Sequence, residues 1–294
     1  NAPLMPMATA VWLVENTTLT FKQIADFCKL HEVEIQGIAD GEVAKGIVGY
    51  NPINSGQLTR EEIKLSSEDN NRPLNIKGEE ILIWGGTDGY CYGYLNKTEK
   101  DDDGYDLFQP KWKVDCNELS YRKDKDGKKI PYATPPGPSE LIGTPVLYED
   151  KVYCAIGQDP EHGDGVGRLS CIDASSGKVL WKYMDVGRTI STASVHEGLV
   201  YIAEYAGIIH CLDAETGKVY WTHDSFSRIW GSTLVVDGKV LLGNEDGDLL
   251  VIDHGKEKPK VKTVNMGAPV YSSPVVANNT LYVATQTHLY AIGK

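Results

Sequence analysis

The chain has 294 residues, of which 41% are hydrophobic and 24% charged, and this balance excludes an intrinsically disordered protein. It carries 41 acidic and 29 basic side chains, and the resulting net charge of −12 repels nucleic-acid phosphate over most of the surface. A broadly basic nucleic-acid binder is therefore excluded. A helical membrane protein is excluded too, because no apolar run approaches the ~18 residues that a span needs.

The composition changes near residues 70–77. Of 16 tyrosines and six tryptophans, only Tyr50 and Trp12 precede Gly78. Beyond that point the chain is rich in Tyr, Trp, Val and Gly, which are typical of strands and turns. We therefore predict two domains, a helical one over residues 1–77 and a β domain over residues 78–294.

The first domain is predicted to be all-α. Thr20 and Gln23 form a capping box at the start of one helix, and a short turn separates that helix from another that ends at Gly41. Further helices are expected on both sides of this pair. Two short helices joined by a tight turn predict a helix-turn-helix over residues 20–40.

Three sequence strings of this domain resemble the alphaproteobacterial cell-cycle transcriptional regulator family. They are LMPMATAVWLV from Leu4, IADGEV from Ile38 and GQLTREE from Gly56. The resemblance implies a cytoplasmic, DNA-associated regulator. The residues favour this less, because residues 1–77 carry seven basic and ten acidic side chains, and only Gln36 is an obvious base reader. DNA contact and a helical packing or protein-interaction domain both stay open.

The second domain contains a repeat of 40 residues. CIDASSGKVLW from Cys171 recurs as CLDAETGKVYW from Cys211, and parts of the pattern return twice more downstream and at Cys91. Each period contains short β-branched and aromatic runs separated by hairpin turn signals such as Asp-Gly. Four antiparallel strands in ~40 residues is the period of a β-propeller blade. We predict a mainly β fold with a partial propeller of about five four-stranded blades and a loop insertion, rather than strand, at about residues 98–138.

The repeated residues are predicted to have structural roles. The carboxylate of each Asp-x-x-x-Gly turn can hold its own backbone, and the Trp four residues after the Gly is expected to wedge between adjacent blades. These residues are Asp173, Gly177, Trp181, Asp213, Gly217 and Trp221. Because three of the six cysteines share one blade position, free buried thiols are expected, with a Cys154–Cys171 bridge as the alternative.

The repeat Asp-Ala-x-[Ser/Thr]-Gly-Lys-Val-x-Trp resembles that of the pyrroloquinoline quinone (PQQ)-like β-propeller family, notably its bacterial periplasmic or cell-surface members. The resemblance implies a propeller and an exported protein, whereas the N-terminal domain implies the cytoplasm. Quinoprotein dehydrogenases of this family use a vicinal disulfide, a calcium ion and an Asp base. This chain has no Cys-Cys pair, so the resemblance carries neither cofactor nor catalysis over. Such propellers usually have more than five blades, and an open ring would expose two sheet edges.

One loop is a candidate metal site, because carboxylate and imidazole groups bind calcium or transition metals. Its residues are Asp159, Glu161, His162 and Asp164. A solvated loop is the alternative reading. The histidines of the domain, His196 among them, show no zinc-ligand spacing.

A candidate binding surface is expected at the top of the propeller. Arg188, Arg228, Trp230 and His223 are predicted to lie there in loops between strands. Arg and aromatic side chains are typical of binding sites, although the same residues could only close gaps between blades.

These patterns predict a non-catalytic propeller that acts as a binding or scaffold module, with a protein or small-molecule ligand at its face and no cofactor. One alternative is a transcriptional regulator that contacts DNA through residues 20–40. Another is a quinoprotein-type oxidoreductase with PQQ and calcium. Because the two resemblances concern unrelated families, the join at about residues 72–78 is either a true fusion or a chimera of two separate sequences.

Overall fold

The computed structural model describes residues 3–75, 81–131, 134 and 137–293. The chain divides into two compact units. One contains the described residues up to Ile81 together with Leu147–Asp150, and the other contains Leu82–Val146 and the residues from Lys151 onward. Residues 76–78 of the predicted boundary and join lie outside the described part.

The helices of the N-terminal unit lie where the sequence predicts them. In the described ranges they are α1 (Pro6–Asn16), α2 (Phe21–Cys28), α3 (Glu32–Ala39) and α4 (Arg60–Glu68). The Thr20 hydroxyl accepts a hydrogen bond from the Gln23 backbone, and Gln23 Oε1 accepts one from the Thr20 N–H at 2.9 Å, so the capping box is confirmed. Lys29 ends α2 with a left-handed φ of 57°.

An apolar core holds these helices together. Leu13, Ile24, Ile35 and Leu58 are buried at its centre. The buried Gln23 amide also donates to the carbonyl oxygens of residues 66 and 72, each at 2.8 Å, which connects α2 to the chain around the end of α4. The Gln23 side chain therefore caps α2 and also anchors the segment that follows α4.

The remaining chain is dominated by β-structure. Among the described residues, 18 strands form five antiparallel sheets, here called blades, in which strands pair in chain order. Blade 1 contains β1 (Ile81–Gly85), β2 (Tyr90–Lys100) and β3 (Asp106–Asp115); blade 2 contains β4 (Val146–Tyr148), β5 (Lys151–Ile156), β6 (Arg168–Asp173) and β7 (Val179–Tyr183); blade 3 contains β8 (Ser194–His196), β9 (Leu199–Ala203), β10 (Ile208–Asp213) and β11 (Val219–Asp224); blade 4 contains β12 (Leu234–Val236), β13 (Lys239–Gly243), β14 (Asp248–Asp253) and β15 (Val261–Asn265); blade 5 contains β16 (Val275–Ala277), β17 (Thr280–Ala284) and β18 (Leu289–Gly293).

The predicted fold class is confirmed. Three blades have four strands, while the first and last have three within the described ranges, and none of these sheets closes on itself. A two-residue turn joins the first two strands of blades 2 to 5, and both of its residues have positive φ, as type I′ hairpins require. The turns are Glu149-Asp150, Glu197-Gly198, Asp237-Gly238 and Asn278-Asn279.

The insertion is not loop throughout, and the prediction of loop rather than strand there is wrong over part of its length. β2 continues to Lys100 and pairs with β3 across a turn that begins at Asp101, and a short helix α5 (Leu119–Arg122) follows. The reason is that Trp112 and Val114 alternate into the interior at the period of a strand, a signal that the acidic turn obscured. Pro135 and Pro136 of the predicted loop lie outside the described residues.

Neighbouring blades are connected by the repeated tryptophans. The indole Nε1 donates to a carbonyl oxygen in the next blade, from Trp181 to Ala214 at 3.0 Å and from Trp221 to Gly255 at 2.9 Å. Trp112 of the insertion makes the equivalent bond to Ala174 at 2.9 Å. Each tryptophan thus lies between its own blade and the next one.

The Asp-x-x-x-Gly turns receive these tryptophans. Asp173 Oδ1 accepts from the backbone N–H of residue 176 at 2.8 Å, and Asp213 Oδ1 accepts from that of residue 216 at 2.9 Å. Gly177 and Gly217 have φ of 72° and 69°, and a β-carbon at these positions would lie 2.7 Å from Trp112 and 2.6 Å from Trp181, respectively. A side chain at either glycine would overlap the ring.

The inner strands contribute a second set of connections. The backbone N–H of Thr192 donates to Ser232 Oγ at 2.9 Å, and that of Ser232 donates to Ser273 Oγ at 2.8 Å. The N–H of Thr144 donates in the same way to Thr192 Oγ1 at 2.9 Å. Hydroxyl groups at one repeat position therefore join blades 2 to 5 through the segments that lead into their first strands.

The six cysteines are free and buried, as expected. The alternative Cys154–Cys171 bridge is wrong, because Cys171 pairs with Tyr153 in the sheet, so that adjacent Cys154 points to the opposite face. Cys154 Sγ lies instead 3.6 Å from Cys116 Sγ. Across the described ranges, no helix has the length and apolar character needed to cross a membrane.

Candidate binding surface

Two kinds of loop meet at one end of blades 3 to 5. The turn between the second and third strands of a blade bonds to the segment that leads into its first strand. Equivalent N–H to O bonds run from Tyr205 to Arg188 at 2.8 Å, from Glu245 to Arg228 at 2.9 Å and from Gln286 to Pro269 at 2.8 Å. The loop face is defined by residues 186–193, 204–207, 226–233, 244–247 and 268–273.

Tyr205 lies at the centre of the loop face. Its buried ring faces the Arg188 guanidinium, whose carbon lies 4.4 Å from the ring centroid, and the Arg228 guanidinium at 5.6 Å. Trp230 meets the same ring edge-on, with centroids 5.0 Å apart, and Tyr271 meets Trp230 at 5.8 Å. Three of the four residues expected at this surface are therefore brought together around one tyrosine, with cation–π and edge-to-face geometry.

The indole nitrogen of Trp230 is unusual on this surface. The Trp230 side chain is half-buried, and its Nε1 atom has no hydrogen-bond partner among the described residues. A buried donor without an acceptor costs free energy, and native proteins rarely leave one unsatisfied. Because the Nε1 atom is itself buried, an acceptor atom from a bound molecule reaches it only when a neighbouring side chain moves.

A network of hydrogen-bonded, buried polar side chains supports the loop that carries Arg188. Glu204 Oε1 accepts from the Gly187 N–H and bonds to His210 Nε2, both at 2.7 Å, and His210 Nδ1 bonds to Tyr183 at 3.1 Å. Burial, followed by the charges of Asp185 and Glu204, raises the pKa of Tyr183 to about 12. Both ring nitrogens of His210 are occupied, and its side chain is only 3% exposed. The network therefore positions the loop and is not open to a substrate.

An exposed aromatic side chain lies on the loop that precedes blade 4. Phe226 is 88% exposed and has a left-handed φ of 58°. Its backbone N–H donates to Asp224 Oδ1 at 2.7 Å, which stabilises this conformation. The backbone thus holds a large apolar side chain in solvent, two residues before Arg228.

The predicted metal loop lies beside Arg188, but its four residues have separate contacts. Asp159 Oδ1 accepts from the Glu161 N–H at 2.8 Å and caps a short 3₁₀ turn, Pro160–His162. The Asp164 carboxylate is exposed and lies 4.0 Å from Arg188, which donates to the Gly163 carbonyl. Among the described residues these four do not form a group of converging ligand atoms. Metal binding in this loop stays a prediction.

Several residues of the surface were not expected from the sequence. The sequence did not predict a role here for Tyr205, Tyr271 or Phe226. His223 was predicted to lie in a loop, but it lies within β11. A signal was present, because Trp230 and Tyr271 follow Ile229 and Val270 in equivalent segments, about one repeat apart. Aligning the loops as well as the strands would have placed both aromatic side chains at one position in successive blades.

In the N-terminal unit, Gln36, the base reader that the sequence predicts, lies on the exposed side of α3. Its Nε2 atom donates to Asp40 Oδ2 at 2.9 Å, so the amide is engaged by a carboxylate of the same helix. Glu34 Oε2 accepts from the His31 N–H at 2.7 Å and caps the helix start. The exposed side of α3 is therefore acidic around its single amide.

The C-terminal part is similar in sequence to PQQ-like β-propeller repeats. Residues 165–293 match the family model described as outer membrane protein assembly factor BamB, and residues 33–92 match the one described as transcriptional cell cycle regulator TrcR. The chain thus joins a TrcR-like segment to PQQ-like repeats, and both predicted resemblances are confirmed over shorter or shifted ranges. No curated protein shows significant sequence similarity to the chain.

One solved structure supports the fold, and two others show weaker similarity. BamB from Moraxella catarrhalis is similar with a TM-score of 0.52 and 17% identity, over 71% of this chain and 54% of that chain. The computationally designed Ika8 protein gives 0.49 and 12% identity over 74% and 56%, and the quinohemoprotein alcohol dehydrogenase from Comamonas testosteroni gives 0.42 and 20% over 50% and 29%. The chain therefore spans about half the length of the Moraxella BamB structure.

Proposed function

We propose that the propeller is a non-catalytic binding module that holds a peptide segment of a partner protein on its loop face. The unsatisfied Nε1 of Trp230, set among Tyr205, Tyr271 and two arginines, carries this proposal. A peptide offers many carbonyl oxygens, and one of them could accept from the indole. Aromatic and Arg side chains at the centre of an interface provide much of its binding energy.

The charges favour a peptide that carries a carboxylate. Arg228 is largely exposed, and its ion-pair partner Glu245 lies as far away as 3.8 Å. On a chain with a net charge of −12, two guanidinium groups lie around the Tyr205 ring, and their carboxylate partners are no nearer than 3.8 Å. An Asp or Glu side chain next to an apolar one would satisfy Arg228 while the apolar group packs on Phe226 or Tyr271.

The test uses the full chain and a displayed library of random peptides. Selected peptides are titrated by fluorescence anisotropy against the wild type and the variants Trp230→Phe, which removes the N–H, and Arg228→Ala. We expect each variant to weaken binding at least about tenfold. Lys239→Ala, which removes an exposed charge at the other end of blade 4, serves as the matched control and should bind as the wild type does.

Equal affinity of all four proteins would overturn the loop face as the site. Failure to select any peptide, together with a small molecule that binds in a Trp230-dependent way, would leave the surface but replace the ligand class. The quinoprotein alternative and its PQQ and calcium stay predictions. Their test is a thermal shift and dye reduction on adding both.

A second candidate function is DNA binding by the N-terminal unit, and the match of residues 33–92 to the TrcR family favours it. A gel shift of the full chain on pooled genomic fragments at low and high salt tests this candidate. A regulator should bind at low salt and lose affinity as salt rises, because released counterions drive such binding. Lys22→Ala and Gln36→Ala should then weaken the shift, and absence of binding at low salt would exclude this candidate.

A further inference from the structure

A second cluster lies at the opposite end of the blades from the loop face. His196 ends β8, Glu197 follows it in the type I′ turn, and His254 comes directly after β14. The turn between the first two strands and the end of the third strand lie at the same end of a blade. Blades 3 and 4 pack side by side, so residues 58 positions apart in the sequence become neighbours.

The three side chains converge at one point. Their nearest ligand atoms all lie within 4.8 Å of one another. Glu197 Oε1 is 3.8 Å from His196 Nε2, and Glu197 Oε2 is 3.3 Å from His254 Nε2. Two ligand atoms bound at about 2.1 Å to a tetrahedral zinc ion are about 3.4 Å apart. Small rotations of exposed side chains therefore suffice to close the site around an ion.

Tyr201 fixes the orientation of His254. The tyrosine oxygen lies 2.8 Å from His254 Nδ1 and accepts the Gly255 N–H at 3.0 Å. A metal ion bound at Nε2 requires the tautomer in which His254 Nδ1 donates to the tyrosine oxygen, and this contact is in place. Such a partner behind a metal-binding histidine sets its tautomer and tunes its affinity.

We propose that His196, Glu197 and His254 bind a divalent transition metal ion of the zinc class. Two imidazoles and one carboxylate suit zinc, whereas calcium and magnesium prefer oxygen ligands alone. Three protein ligands leave a fourth position for water or for a group of another molecule. The first two residues belong to blade 3 and the third to blade 4, so the ion joins two blades and stabilises their interface.

The test is a titration of the untagged, EDTA-treated full chain with Zn²⁺ by calorimetry, with the bound metal counted by mass spectrometry. We expect one ion per chain and a higher thermal midpoint in its presence. His196→Ala, Glu197→Gln and His254→Ala should each lower the affinity at least about tenfold, and Tyr201→Phe should lower it by about tenfold. His288→Ala, which removes an exposed histidine from the loop-face end, is the matched control and should bind zinc normally.

Glu197 and His196 have exposed side chains, so variants at these positions should keep the wild-type circular dichroism even if a change at Tyr201 disturbs the fold. Absence of stoichiometric binding would overturn the site. Unchanged binding in a Glu197→Gln, His254→Ala double variant would do the same. Loss of binding in the two histidine variants with full binding in a folded Tyr201→Phe protein would keep the ion and refute the role of the tyrosine.

Discussion

At the residue scale, Gly217 is required by two physical constraints at once. Its φ of 69° disfavours any side chain, and a β-carbon there would lie 2.6 Å from the Trp181 ring. Gly238 has a φ of 67° but no heavy atom of another part of the chain within 4 Å of such a β-carbon. The two positions share the backbone constraint and differ only in the packing constraint.

We expect Gly217→Ala to lower the free energy of unfolding by about 2–4 kcal/mol, because backbone strain and overpacking add. Gly238→Ala, the matched control, should cost about 1 kcal/mol, from backbone strain alone. Urea unfolding followed by circular dichroism measures both. Equal losses would show that the tryptophan ring moves aside without cost.

At the element scale, Glu62 ties α4 to the chain that follows it. Its carboxylate accepts from Arg72 Nη2 at 2.7 Å and from the Asn75 N–H at 2.9 Å. Burial raises its pKa, but the hydrogen bonds from Asn75 and Arg72 outweigh this, so the pKa lies below its ordinary value. The ionised carboxylate is therefore the form that the folded state prefers.

A group whose folded pKa is lowered stabilises the fold above its unfolded pKa, here about 4.3, and loses that contribution as the pH falls. We expect Glu62→Gln to be less stable than the wild type at pH 7, with a gap that narrows on acidification through the pKa. Thermal melts across this range measure the gap. Glu61→Gln, on the exposed neighbour of the same turn, is the control, and a gap independent of pH would contradict the assignment.

The tryptophan connections between blades are the second feature at this scale. The Ala214 carbonyl that accepts from Trp181 also accepts from Tyr153 at 3.1 Å, so removing the indole N–H does not leave that oxygen unsatisfied. We expect Trp181→Phe and Trp221→Phe each to cost about 1–3 kcal/mol, from one hydrogen bond and lost packing.

The two connections join different pairs of blades, 2 with 3 and 3 with 4. If the propeller unfolds as one cooperative unit, the double variant should show the sum of the single losses to within about 0.5 kcal/mol. Chemical unfolding of the four proteins completes this double-mutant cycle. A double variant with two separate transitions would show instead that blades unfold independently.

At the scale of the whole molecule, the sequence predicted the repeated features of the blades. It did not predict the clusters that form where residues from different blades or loops meet. Turns, strands and buried cysteines recur every 40 residues, and their period alone defined the blades. His196 and His254 escaped prediction because their proximity depends on how two blades pack, and no local spacing encodes it. Tyr205 escaped for the same reason, since its partners Arg188 and Trp230 come from two different loops.

The join between the two families can be argued from their matched ranges. The TrcR match continues from residue 33 to residue 92, through the change of composition at residues 70–77 and into β2. If two unrelated pieces met at residues 72–78, that match should stop there. The extent of the match favours a true fusion over a chimera at residues 72–78, and both stay predictions.

We therefore expect a single uninterrupted transcript in the source cells to encode Val33 through Gly165, which covers the TrcR match and the start of the BamB match. At the protein level, a protease that cleaves after Glu should release the peptide Asp69–Glu79, which crosses the join at residues 72–78. Long-read sequencing and mass spectrometry measure these two products. Transcripts that encode residues 33–92 but continue into a sequence other than the propeller would establish a chimera, because the two folds would then never share one chain.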